Sequence, residues 1–262
     1  MRLTVLGSGS AFSGAGHNAC YCLDGRLLVD CGSPAQLLLP QAGLSIDALD
    51  GLILTHFHAD HTGFLPVVLG ARALVHDAPR PMRLAGPPGT AEYVSRVVHT
   101  GYGGHLHKLI YDRLGLECTV LQDGADTEFC GYRVRAHSVV HSTGPSLAYA
   151  ISDASGATTG FSGDSSMCAG LRRAIAQSQL MVCECSDFDR PVPTHLWYGE
   201  ISELVDAHPD TRFVLSHLTQ RRPVRGAILA HDLLSVDVQP AGAPLPEPPD
   251  SVVAARTAQQ GQ

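Results

Sequence analysis

Apolar positions come in short bursts along this chain, and Gly, Pro, Asp and Ser punctuate them. Short apolar runs bounded by turn formers read as strands. On that basis strands are expected at 3–6, 19–23, 27–30, 51–55, 73–76, 118–121, 132–141, 146–151, 158–162, 180–184 and 212–216. Stretches with helical spacing place helices at 34–41, 62–69, 90–99, 167–177, 199–207 and 224–229. Strands early and late with helices between favour a layered α/β sandwich over a strict βαβ repeat. The segment Gly101-Tyr102-Gly103-Gly104-His105-Leu106-His107 reads as a mobile loop, with a lid over a site as the sharper alternative. From 240 onward five prolines and little apolar content mark a disordered tail, leaving one domain over 1–239 and the tail over 240–262.

Composition narrows the class. The 262 residues carry 44% hydrophobic and 16% charged side chains, enough for a sizeable buried core. No apolar run is long enough to span a bilayer, and the apolar stretch at the N-terminus is too short for a secretory signal, so a cytoplasmic, membrane-free protein is expected. A net charge of −7 argues against a broad nucleic-acid-binding surface, which needs clustered Lys and Arg. The eight cysteines include two Cys-x-Cys pairs, Cys20/Cys22 and Cys183/Cys185, placed to pack as reduced thiols on strand faces. The 14 histidines are the compositional oddity, and their positions carry the chemistry.

After the apolar run 51–55 come His56, His58, Asp60 and His61 within six residues. In extended backbone His56 and His58 point to the same side, and Asp60 and His61 in the following turn address a point beside them. Imidazoles with a carboxylate form a ligand set for Zn²⁺, with Mn²⁺ or Fe as competitors. His141, Asp164 and His217 each fall where an apolar run gives way to a loop, so one rim of a sandwich can gather all seven. A carboxylate such as Asp164 is able to bridge two cations.

The order of these motifs resembles the metallo-β-lactamase superfamily, and its ribonuclease Z-like branch most closely. The resemblance rests on Leu6-Gly7-Ser8-Gly9-Ser10, Val29-Asp30-Cys31-Gly32, Thr55-His56-Phe57-His58-Ala59-Asp60-His61, and His141 followed by Pro145. Phe161-Ser162-Gly163-Asp164-Ser165 and Ser216-His217-Leu218 complete it, and the coverage is about residues 1–225. It implies a four-layer αββα sandwich with one metal on His56, His58, His141 and Asp164, and a second on Asp60, His61, Asp164 and His217. It also implies that Glu184, in Cys183-Glu184-Cys185-Ser186, orients His195 as a catalytic helper, beside Asp60 at the metals. Two cysteines here depart from that branch's pattern at the Glu184 stretch. Relatives of the branch are often dimers, which makes a homodimer the expectation by resemblance.

Two divalent ions lower the pKa of a bridging water to near neutrality, and the resulting hydroxide attacks phosphorus or a carbonyl carbon. Departure of an alkoxide from a phosphodiester needs a proton, the part assigned to His195 held by Glu184. The turn at 152–156 is too short for the protruding tRNA-binding arm of full ribonuclease Z enzymes. The reading is therefore a dinuclear zinc phosphodiesterase acting on small or cyclic phosphodiesters. A tRNA 3′-end endonuclease, with RNA as partner, is the nearest alternative. A metal-dependent lactonase or thioesterase and a non-catalytic metal-binding interaction protein are the others.

Overall fold

A computed structural model describes residues 1–75 and 80–242. Two seven-stranded sheets face each other. The first contains β1 (Arg2–Gly7), β2 (Cys20–Leu23), β3 (Leu27–Val29), β4 (Gly51–Ile53), β5 (Arg83–Gly86), β6 (Glu117–Val120) and, at its other edge, β14 (Ser235–Asp237), in the order β14-β1-β2-β3-β4-β5-β6. The second contains β7 (Asp126–Phe129), β8 (Tyr132–Ser138), β9 (Leu147–Ser152), β10 (Thr158–Phe161), β11 (Leu180–Glu184), β12 (Arg212–Ser216) and β13 (Ala227–Leu229), in the order β13-β12-β11-β10-β9-β8-β7. The helices are α1 (Ala35–Gln41), α2 (Ala59–Thr62), α3 (Leu65–Leu74), α4 (Thr90–Leu114), α5 (Ala169–Ala176) and α6 (Tyr198–Ala207).

Strand alternation explains the layers. Successive side chains point to opposite faces, so a strand buried on both sides must feed two cores. In β1 Leu3 and Val5 enter the core between the sheets, whereas Leu6 enters the one beneath α1, α3 and α4. In β11 Leu180 and Val182 face the inter-sheet core, while Met181 and Cys183 pack with Leu171 of α5 and Ile201 of α6. Helices thus cover both outer faces, and the chain is an αββα sandwich. Cys20 and Cys22 lie in one helix-facing core and Cys183 and Cys185 in the other, all as free thiols.

Several local expectations are corrected. Residues 73–75 are not a strand: Leu65, Val68, Leu69 and Ala73 bury one helical face, so α3 runs on through Leu74. His76, the last residue of that expected strand, lies outside the described residues. The expected helix at 224–229 is a strand, because Gly226 takes a left-handed φ of 69° and Ala227–Leu229 then pairs in parallel with β12. The segment 101–107 is not a loop. It lies within α4, which bends where Gly103 leaves helical geometry at φ 71°, ψ 172°. β8 stops at Ser138, and His141 is reached past an isolated bridge between Val140 and Ser166. The tail beyond 242 lies outside the described residues. No helix among the described residues is long and apolar enough to cross a membrane.

Candidate metal centre

The expected ligands meet at one edge of the sandwich. β4 ends three residues before His56, and β3 beside it ends at Val29, one residue before Asp30. His58 caps α2, so Asp60 and His61 sit inside its single helical turn rather than in a loop leading to a helix at 62. Close backbone approach presses that turn home. The Cys31 amide donates to the His61 carbonyl at 2.6 Å, and a Cβ at Gly32 would lie 1.6 Å from the Asp60 carbonyl oxygen. Glycine is required there on steric grounds. From the other sheet, Asp164 follows β10 through Gly163 in a left-handed conformation, and His217 follows β12 with a φ of 55°. The Leu147 amide donates to the Thr55 carbonyl at 3.0 Å and the Tyr149 hydroxyl to the Leu54 carbonyl at 2.7 Å, tying the two sheets together beside the site.

Three groups of side chains that could hold an ion result: the first is His56, His58, His141 and Asp164, the second Asp60, His61, Asp164 and His217, and the third joins Asp164 and His217 of the second to Glu184 and His195. In the first, His58 Nδ1 lies 3.3 Å from His56 Nε2 and 3.0 Å from His141 Nε2, and Asp164 Oδ2 lies 3.8 Å from both other rings' Nε2 atoms. In the second, His61 Nε2 is 3.2 Å from Asp164 Oδ1 and 3.6 Å from Asp60 Oδ2, and His217 Nε2 is 3.1 Å from Asp60 Oδ2. Tetrahedral bonds of about 2.0–2.2 Å place ligand atoms roughly 3.3–3.6 Å apart, so these spacings suit a cation in the first and in the second group. Asp164 belongs to all three.

The donor chemistry fits as well. His61 Nδ1 donates to Asp30 Oδ2 at 2.7 Å, which leaves Nε2 as a bare lone pair. That atom and Asp164 Oδ1 are both buried and satisfied by no hydrogen bond, although they face each other. Two acceptors in a dry site repel unless a cation stands between them. The other rings are oriented from behind. His56 Nδ1 contacts Thr55 Oγ1 at 3.0 Å, His141 Nδ1 donates to the Thr194 carbonyl at 3.0 Å, and His217 Nδ1 meets Ser186 Oγ at 3.0 Å.

Electrostatics follow from burial and charge. Burial, then the neighbouring His61, pushes the His56 imidazole far below its ordinary pKa. Burial works against ionisation of Asp164, yet His217, His61 and His56 outweigh it and hold the carboxyl well below the usual range. Burial likewise opposes a positive charge on His61, yet without a cation the Asp164 and Asp30 carboxylates raise its pKa, drawing a positive charge to the place that a metal ion would take.

Glu184 and His195 lie beside the second group. Glu184 Oε2 is 2.9 Å from His195 Nδ1, and its Oε1 accepts the Ser165 amide at 2.6 Å, next to Asp164. Burial and the Asp164 charge push the Glu184 carboxyl up. Burial opposes protonation of His195, but the hydrogen bond it donates to Glu184 and the charge of that carboxylate raise its pKa above the ordinary imidazole value. Among the described residues no hydrogen bond engages His195 Nε2, and the ring lines a cleft of about 1200 Å³ together with His58, Asp60, Asp164 and His217.

Sequence reasoning left three polar residues here without a role. Asp30 accepts the Thr55 amide and hydroxyl, both at 2.8 Å, as well as His61. Ser186 donates to Glu184 Oε2 at 2.7 Å while contacting His217. Thr55 links Asp30 to His56. The signal for Asp30 was available: a carboxylate ending an apolar strand needs a partner, the argument that already served Glu184.

The fold is that of the metallo-β-lactamase superfamily, and the similarities place the chain in its ribonuclease Z-like branch of metal-dependent hydrolases. Human tRNase Z, short form (ELAC1), is similar in fold with a TM-score of 0.72 over 91% of this chain and all of that one, at 20% identity. The ribonuclease Z of Methanosarcina acetivorans is 32% identical over 155 residues, 58% of this chain and 48% of that protein, so this match spans about half of the relative's length. The Anti-Pycsar protein Apyc1 of Bacillus phage 010DV004 is 43% identical over 72 residues, 26% of this chain and 28% of that protein. A family profile described as Anti-Pycsar protein Apyc1 matches residues 1–226, and the chain belongs to that family.

Proposed function

We propose that this protein is a dinuclear zinc phosphodiesterase acting on small or cyclic phosphodiesters. The observation that carries the reading is a carboxylate, Asp164, common to two four-residue ligand groups, with the Glu184–His195 pair beside them. His56, His58, His141 and Asp164 would hold one ion, and Asp60, His61, Asp164 and His217 the other. Such ions, when bound, supply an acidified water and a positive charge that stabilises the attacked phosphate.

This chain's own residues do the rest. Asp30, Thr55, Ser186 and the Thr194 carbonyl fix ring tautomers, so that each ring nitrogen needed for ligation presents a lone pair. Glu184 holds His195 by Nδ1 and keeps it protonated, which leaves the Nε2 proton for the departing alkoxide. A carbonyl hydrolase has less need of such a donor. The connection between β9 and β10 is the tight turn at 153–157, where the Gly156 amide returns to the Asp153 carbonyl at 3.0 Å. No tRNA-binding arm extends from it, which favours a compact substrate over a long polyanion whose affinity needs many phosphate contacts.

The test is a comparison of substrates on zinc-loaded protein: bis-p-nitrophenyl phosphate, cyclic AMP, a lactone and a precursor tRNA, with Asp164→Ala as control. Metal content is measured in parallel. Turnover of the first two, abolished in Asp164→Ala, with two zinc ions per chain, is the expected result. Activity on the lactone alone overturns the assignment, and cleavage of the precursor tRNA alone moves it to the endonuclease.

A further inference from the structure

Five histidine rings belong to the first two ligand groups, and four of them are held from behind. The rings of His56, His61, His141 and His217 have their second nitrogen engaged by Thr55, Asp30, the Thr194 carbonyl and Ser186. His58 differs. Its Nδ1 faces His56 and His141, and among the described residues no hydrogen bond engages its Nε2. A ligating imidazole usually owes its orientation to such a partner. Without one, the ring points where its own backbone sends it, so whatever holds the backbone at His58 decides where this ligand lies.

That backbone is gripped by a residue outside the site. The His58 carbonyl starts α2 and accepts the His61 amide at 3.1 Å and the Thr62 hydroxyl at 2.8 Å. A threonine that returns its hydroxyl to the carbonyl four residues earlier is common in helices and needs no explanation. Here the same hydroxyl lies 2.7 Å from that of Tyr93 in α4. Thr62 has one hydroxyl proton and gives it to His58, so Tyr93 donates to Thr62. The Tyr93 ring takes the other side of His58: it stacks on Phe57, with centroids 4.7 Å apart and planes inclined by 14°. Tyr93 itself stands on a firm base, because Val94 and Val98 bury the adjoining face of α4 in the helix-facing core. The Arg96 guanidinium carbon lies 5.6 Å from the centre of its ring and adds a cation–π contact. A helix of four residues such as α2 has little stability of its own, so contacts from outside set its position. Asp60 and His61 lean on its opposite flank, where the Cys31 amide meets the His61 carbonyl and Asp30 meets the His61 ring.

We propose that Tyr93 is a positioning residue for the metal centre, fixing His58 through the Thr62 hydroxyl and the Phe57 ring. It acts on the ion held by His56, His58, His141 and Asp164 without touching that ion or a substrate. The ion held by Asp60, His61, Asp164 and His217 is spared, since Asp60 and His61 have supports of their own. The proposal rests on the two ligand groups and is independent of which substrate the site takes.

The experiment measures both zinc affinities by competition with a chromogenic chelator in wild type, Tyr93→Phe, Thr62→Val, Thr62→Ser and the double variant Tyr93→Phe/Thr62→Val. The two binding steps are assigned with His141→Ala, which lacks a ligand of the first ion alone. Loss of a group that orients a ligand costs about tenfold at the low end, so Tyr93→Phe weakens the first ion by that factor and leaves the second unchanged. Thr62→Val weakens the first ion too, whereas Thr62→Ser keeps the hydroxyl and binds as wild type does. Adding Tyr93→Phe to Thr62→Val brings no further loss, because the tyrosine hydroxyl acts through Thr62. Unchanged affinities, equal weakening of both ions, or additive losses in the double variant overturn the proposal. Hydrogen exchange on metal-free protein reads the same grip without zinc. Amides 58–63 exchange faster in Tyr93→Phe than in wild type while Tm stays close; a lower Tm with no selective change there makes Tyr93 a stability residue and overturns the proposal. Should wild type bind no zinc, the metal centre fails and takes this role of Tyr93 with it. None of these readouts involves turnover, so failure of the phosphodiesterase reading is seen separately.

Discussion

Replacement of Asp30 by Asn is the sharpest probe of how the centre is assembled. Asp30 is 1% exposed and accepts three hydrogen bonds, from the Thr55 amide, the Thr55 hydroxyl and His61 Nδ1. Asparagine is nearly isosteric but only one of its terminal atoms accepts. Facing the Thr55 amide with that oxygen puts the NH₂ group against His61 Nδ1, and the opposite flip sets two donors against each other at Thr55. The first arrangement wins, and it forces the ring proton of His61 onto Nε2. That nitrogen then donates to Asp164 Oδ1, 3.2 Å away, instead of offering a lone pair to a cation. Loss of a carboxylate behind a ligating histidine typically weakens metal affinity 10- to 100-fold, about 1.4–2.8 kcal/mol. The weakening belongs to the ion held by Asp60, His61, Asp164 and His217; the ion on the other group is less affected. Competition against a chromogenic zinc chelator measures both affinities, and thermal unfolding confirms that the variant folds. Two equivalents bound with wild-type affinity would refute the role given to Asp30.

Other consequences follow from the same geometry. His195→Ala is expected to slow hydrolysis of cyclic AMP, whose leaving group is a basic alkoxide, by about 10²–10⁴-fold, and hydrolysis of bis-p-nitrophenyl phosphate far less; equal losses on both substrates count against proton donation. Chelation of bound metal should lower Tm, because an ion that binds only the folded chain stabilises it by about 4 kcal/mol at a thousandfold excess over Kd; a melting curve indifferent to chelator would contradict the centre. In Gly32→Ala the new Cβ meets the Asp60 carbonyl 1.6 Å away, so α2 must shift. Overpacking of this kind costs typically about 1–3 kcal/mol, and here it should reduce zinc affinity together with Tm. Wild-type metal binding in that variant would mean that α2 is not held by this contact.

The chain's own order of residues already defined the layers and the candidate ligands. Strands such as 180–184 and 212–216 are apolar on both faces, which is the mark of a sheet covered on both sides. His56, His58, Asp60 and His61 cluster so closely that their convergence needs only one strand end and one turn of helix. Short-range signals failed where tertiary contacts chose between conformations of similar local cost. Residues 73–75 and 227–229 are apolar triplets equally suited to helix or strand; a buried helical face extended α3 into the first as far as Leu74, and a free sheet edge beside β12 took up the second. Residues 101–107 join α4 despite three glycines because Gly103 absorbs a bend within it.

What only the tertiary structure decided was which side chains stand behind the site. Asp30, Ser186 and the Thr194 carbonyl act through hydrogen bonds to residues 31, 31 and 53 positions away, and no local pattern in the sequence encodes such pairings. Ligand types are a property of composition and spacing, whereas tautomer and lone-pair direction depend on two sheets packing face to face.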